Sequence, residues 1–113
     1  MAERLPARVE AAGIIRKVSA GGGFAAVLNK GDPDRGALVL ILRSQGEFLG
    51  FLEREMGPDF TYRWSLSRGE ETLDDASLDE IVRRKLRIDT DSWLIELDVA
   101  DPERFIAETT SSG

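Results

Sequence analysis

Between Gly36 and Arg43 the chain reads Ala37-Leu38-Val39-Leu40-Ile41-Leu42, a run without one polar side chain. A strand of that composition has to be covered on both faces, so it belongs inside a sheet. An earlier apolar run, Phe24–Leu28, is separated from it by Asn29-Lys30-Gly31-Asp32-Pro33-Asp34-Arg35-Gly36, a connection made of turn residues. The two runs are expected to pair as a central hairpin, to which later strands add and over which helices pack.

The flanking segments supply those helices and strands. From Pro6 to Ala20, Ala11, Ile14, Ile15 and Val18 repeat at helical spacing, and Gly21-Gly22-Gly23 ends the segment. Pro6 suits a first helical position, where its missing N–H costs nothing. Glu47–Leu52 reads as a third strand with a bulge or close contact at Gly50, followed by a polar loop over residues 53–59. Phe60–Leu66 alternates cleanly, with Phe60, Tyr62, Trp64 and Leu66 on its inner face. A second helix is expected over about Leu78–Leu86, with Ser77 as N-cap and Glu80 completing a capping box. Trp93–Val99 is the last strand, and Asp101-Pro102-Glu103 opens a short helical turn carrying Phe105 and Ile106. The prediction is an α+β fold: a mainly antiparallel twisted sheet of about five strands with two helices on one face. Residues 1–113 are expected to form a single domain, with 1–4 and 109–113 flexible.

Composition narrows the chemistry. The 113 residues contain neither cysteine nor histidine. Disulfides, thiolate chemistry, histidine-based general base catalysis and the commonest zinc ligands are therefore excluded. A net charge of −6 opposes sequence-independent nucleic-acid binding and docking on anionic membranes. No apolar run approaches the roughly 18 residues of a membrane span, and no secretory leader pattern opens the chain. A cytoplasmic location follows as the expectation.

Three clusters invite a chemical reading. Lys30 and Arg35, with Asp32, Asp34 and the glycines between, offer cations and amides to an anion. The Walker spacing is missing, and a calcium loop would need more oxygen ligands, whereas turn chemistry accounts for nearly every residue. Asp89, Asp91, Glu96 and Asp98 gather around the last strand, where Glu96 and Asp98 share a face able to hold magnesium or to form the wet side of an edge strand. Tyr62, Arg63 and Trp64 would stack nucleobases, but the two rings fit the apolar face better. The element order also resembles the restriction-endonuclease-like core, without the acidic and basic residues its chemistry requires.

Ile14-Ile15-Arg16-Lys17 through Gly23-Phe24-Ala25-Ala26-Val27-Leu28, Lys30-Gly31-Asp32 with Gly36, and Asp89-Thr90-Asp91-Ser92-Trp93-Leu94-Ile95-Glu96-Leu97 together resemble an alphaproteobacterial family, domain of unknown function 1491. The resemblance implies a small bacterial cytoplasmic domain and carries no activity with it. The reading that results is a non-enzymatic protein-interaction or accessory domain, with pairing of two copies as one form of it. It requires no cofactor and no metal, and its candidate binding surface is Lys30, Asp32, Arg35, Asp91 and Trp93. The alternative is an anion- or metal-binding enzyme built from carboxylates and Lys30.

Overall fold

Leu38, Leu40 and Leu42 point to one side of their strand and Val39 and Ile41 to the other, and all five are buried. The computed structural model, which describes residues 5–67 and 74–111, places this strand at the centre of the sheet. Three helices are α1 (Ala7–Ala20), α2 (Asp75–Ile88) and α3 (Pro102–Ser111). Five strands are β1 (Phe24–Asn29), β2 (Leu38–Ser44), β3 (Glu47–Met56), β4 (Tyr62–Ser67) and β5 (Trp93–Asp98). Their spatial order is β1-β5-β2-β3-β4. The fold is α+β with a mixed sheet: β5 runs parallel to β2, and the other pairs are antiparallel.

The central hairpin of β1 and β2 does not form. β5 lies between them, with Leu40 opposite Ile95 on one side and Val27 opposite Ile95 on the other. The physical reason is burial. Trp93, Leu94, Ile95 and Leu97 are as apolar as β2, so β5 gains more from an interior place than β1, whose side chains are mostly small or wet. Glu96 and Asp98 thus sit on an interior strand and not on an edge.

The helices occupy both faces, not one. α1 and α3 cover Leu38, Leu40, Leu42, Leu52, Trp64, Trp93, Ile95 and Leu97, using Ala7, Ala11, Val18 and Phe105. α2 covers Val39, Ile41, Phe51 and Leu94 with Leu78, helped by Ile81, Val82 and Leu86. A strand apolar at every position needs this two-sided cover, which the all-apolar run already demanded.

Four boundaries differ from expectation. Residues 53–56 continue β3, because the hairpin to β4 pairs Glu53 with Ser65, Arg54 with Trp64, Glu55 with Arg63 and Met56 with Tyr62. Phe60 is no inward strand residue: it sits in the turn at φ 63°, 81% exposed, and Tyr62 beside it is exposed as well. α2 begins earlier, with Asp74 as N-cap accepting from Ser77 N–H at 2.8 Å; Ser77 is the recipient of the cap and not its source. α3 extends through residues 109–111, held by an Arg104–Glu108 pair and by Thr110 Oγ1 donating to the Ile106 carbonyl. Ser67–Ala76 reads as a polar, acidic connection; its residues 68–73 lie outside the described residues, as do 1–4 and 112–113. The bulge expected at Gly50 is present: the register shifts there, Leu42 facing Gly50 and Arg43 facing Phe48.

Candidate functional site

The turn-rich loop after β1 is tied to the loop before β5 by main-chain groups. Asp32 N–H donates to the Asp91 carbonyl at 2.9 Å, and Trp93 Nε1 donates to the Asp32 carbonyl at 2.8 Å. A Cβ on Gly31 or Gly36 would strike the Asp91 carbonyl, so both positions depend on the missing side chain for this close approach. The same loop finishes α1. Pro6 offers no side-chain cap, and the free N–H groups of Ala7 and Arg8 donate instead to the carbonyls of Asp34 and Pro33, at 3.1 and 2.8 Å. Arg8 adds an exposed pair with Asp34.

Asp32, Asp91 and Trp93 are therefore brought together, but not as converging side chains. The Asp32 carboxylate turns back on its own loop and accepts from Asp34 and Arg35 N–H at 2.9 and 2.7 Å. The Arg35 amide, then the Asp34 amide, hold its pKa below the ordinary 3.8, away from anything a general acid would need. Trp93 is buried beneath the loop, whereas Lys30, Arg35 and Asp91 are exposed.

The acids of the last strand are also engaged. Arg43 Nε reaches Glu96 at 3.1 Å. Asp98 accepts from Gln45 and Gly46 N–H at 3.0 and 2.9 Å, clasping the β2–β3 turn, whose two central residues have φ of 51° and 81°. Asp89 accepts from Asp91 N–H and Ser92 Oγ. Among the described residues no group of three acids is arranged to hold a metal ion.

Two features escaped the sequence. One is a groove between α1 and α3, a cavity of about 330 Å³ next to one of about 240 Å³, sharing Lys17, Phe105 and Glu108. Its cations have internal partners: Lys17 and Arg104 meet Glu108, and Arg54 forms a two-pronged pair with Glu10 while stacking on Trp64. The other is β1. This strand lies at the rim of the sheet and holds no charged residue, with Phe24 77%, Leu28 47% and Val27 39% exposed. Val27 shares the α1 face with Ile95, while Phe24 and Ala26 share the opposite face with Asp98 and Glu96. α2 packs over β2, β3 and β5 on that opposite face, and Phe24 remains in water. The local signal was available as an uncharged run; its place at a rim was not.

Comparison with known proteins decides the family. The family of proteins of unknown function DUF1491 matches residues 5–107. This chain belongs to it. A DUF1491 protein from Caulobacter crescentus, known from a crystal structure, is 28% identical, with 87% of this chain and 91% of that one covered at a TM-score of 0.72. An NMR structure of a DUF1491 protein from the same organism gives 28% identity, coverages of 88% and 90%, and 0.71. Protein Atu0922 from A. tumefaciens shares the fold, at 23% identity, coverages of 88% and 89%, and 0.70. No curated protein shows significant similarity. No described helix of this DUF1491 chain is long and apolar enough to cross a membrane.

Proposed function

We propose that this DUF1491 chain is a single-domain, non-enzymatic interaction module of the bacterial cytoplasm that docks its partner along the outer edge of β1. The observation that carries the reading is the bare edge: an exposed rim strand without charge, proline or a covering helix on its Phe24 face. Edge strands present unpaired N–H and C=O groups, and proteins that do not use them usually blunt them with charge. An extended segment that adds to such an edge gains main-chain hydrogen bonds, with alternate side chains supplying specificity.

The carboxylates support the non-enzymatic half of the reading. Asp32, Asp59, Asp74 and Glu108 all have their pKa lowered by hydrogen bonds to the charged form, the wrong direction for proton transfer near neutrality. We assign Asp32, Asp91 and Trp93, with the Arg35 amide, to the brace between two loops and the start of α1, and not to a ligand; Lys30 is exposed on the same loop.

A pull-down from an alphaproteobacterial lysate tests the docking edge, with the wild-type chain and Ala26→Lys as baits. A partner retained by the first and lost by the second is expected. Equal recovery with both baits would remove β1 from the interaction.

A further inference from the structure

We infer that the occupant of the β1 edge is β1 of a second copy, antiparallel about Ala26, joining two five-stranded sheets into one. This rests on the edge-docking reading and names its partner.

Symmetry restricts the register first. A two-fold axis perpendicular to a continuous sheet leaves each face on its own side, and opposed residues in an antiparallel ladder share a face. The axis must then pass through a residue that meets itself. With Ala26 at the axis, Ala25 opposes the partner's Val27, and Phe24 reaches the partner's Leu28 at the register shift that follows Val27. Every opposed pair within Phe24–Leu28 is then apolar. Centring on Ala25 spends Val27 against Gly23, and centring on Val27 brings Asn29 and Lys30 into the ladder. Ala26 is the choice that covers the exposed Phe24, Val27 and Leu28 together.

Charge then favours a second copy over a foreign strand. Two molecules of net charge −6 repel, and a charge at the axial position of a self-paired strand would meet itself. β1 contains none, although charged residues make up 32% of the chain. At the ends of the ladder the same register carries the partner's Lys30 to Gly22. The glycine turn leaves room there, at the end of β5 that bears Asp98 and precedes Asp101. The one charge brought to the seam is of opposite sign to its surroundings. On the α1 side, the flank opposite Glu10 and Lys17 carries Arg8, Ala12, Ile15 and Ser19, with the Arg8 charge met by Asp34 of its own chain.

The register shift after Val27 keeps the ladder short, so the pair is weak and dissociates on dilution. Sedimentation equilibrium of the full chain, from roughly 1 to 500 µM as suits a small interface, is the test. The expected mass rises with concentration from 12.5 kDa to twice that value. Ala26→Lys, which meets Glu96 across the ladder, is expected to keep the wild-type melting temperature and remain single; Ala26→Glu, beside Glu96, is expected to melt slightly lower and also to remain single. An equal mixture of the two is expected to regain the double mass, because opposite charges then face each other across the axis. Phe24→Ser is a second probe, expected to weaken association at least tenfold.

A wild-type chain that stays at 12.5 kDa throughout overturns self-pairing, while the lysate experiment still decides the docking edge. A mixture that remains single overturns the Ala26 register. A double mass that survives all three substitutions overturns self-pairing at the β1 edge.

Discussion

At one rim of the sheet β4 carries Arg63 against Asp59, with Pro58 in the adjoining loop; at the other, β1 carries no charge and no proline. Both strands are six residues long, so length does not separate them. α3 packs against β4, and Arg54 on the neighbouring strand lies over the Trp64 ring at 4.6 Å while gripping Glu10 of α1. The loop before β4 is built as firmly. Asp59 accepts from the amide and hydroxyl of Thr61, and Gly57 N–H donates to the Thr61 carbonyl. Exposed apolar residues occur at this side too, at Met56, Phe60 and Tyr62, but a charge stands in the ladder beside them. The difference teaches that the bareness of β1 is local and is not what the overall composition imposes.

The largest test of that contrast removes what the two rims share. Leu40 is fully buried on β2, between them. Leu40→Ala is expected to cost about 2–5 kcal/mol in chemical denaturation and to loosen β1 and β4 together in hydrogen exchange. Loosening confined to one rim would show that the rims unfold independently.

A smaller effect should fall on one side. Arg54 and Glu10 are mostly buried, with side-chain exposures of 20% and 14%. Arg54→Met retains the packing on Trp64 and leaves Glu10 unpaired, so a loss of about 1–3 kcal/mol is expected. Faster exchange should appear in β4 before β1. Equal acceleration at both would end the claim that this clasp belongs to the guarded rim.

The smallest effect is one of acidity. Thr61, through its hydroxyl and then its amide, holds the Asp59 carboxyl below its ordinary 3.8. A folded-state pKa that is depressed contributes order above the unfolded value, and that contribution is lost as pH falls through the folded one. NMR order parameters of residues 57–61 are therefore expected to drop as the solution is acidified below 3.8, while those of β1 hold. A loop that stays ordered in acid would mean that Thr61 and Arg63 are not what fixes it.

Much of the interior could be read from the residues. The stripe of Ala11, Ile14, Ile15 and Val18 gave α1, and the unbroken run from Ala37 to Leu42 gave the central strand. Where the residues misled, the deciding partner lay in another segment of the chain. Nothing in Phe24–Leu28 shows that it will meet Leu94–Asp98 and not the next strand along. Residues 53–56 are polar, and only their opposite numbers Tyr62 to Ser65 make them a strand. The unbroken apolar run of β2 implies cover on two faces, but it does not say which helix takes which face. The candidate loop was legible as a turn; that it also caps α1 was not, because the acceptors are main-chain carbonyls and these have no sequence signature.

The insertion of β5 has a consequence for the order of assembly. Phe24–Asn29 leaves the ribosome some seventy residues before the strand it pairs with. The hairpins β2–β3 and β3–β4 close over short loops, whereas β1 waits, apolar and unmatched, until β5 has been made. During that interval the nascent strand has both of its edges open, and chaperone contact on the ribosome should concentrate there.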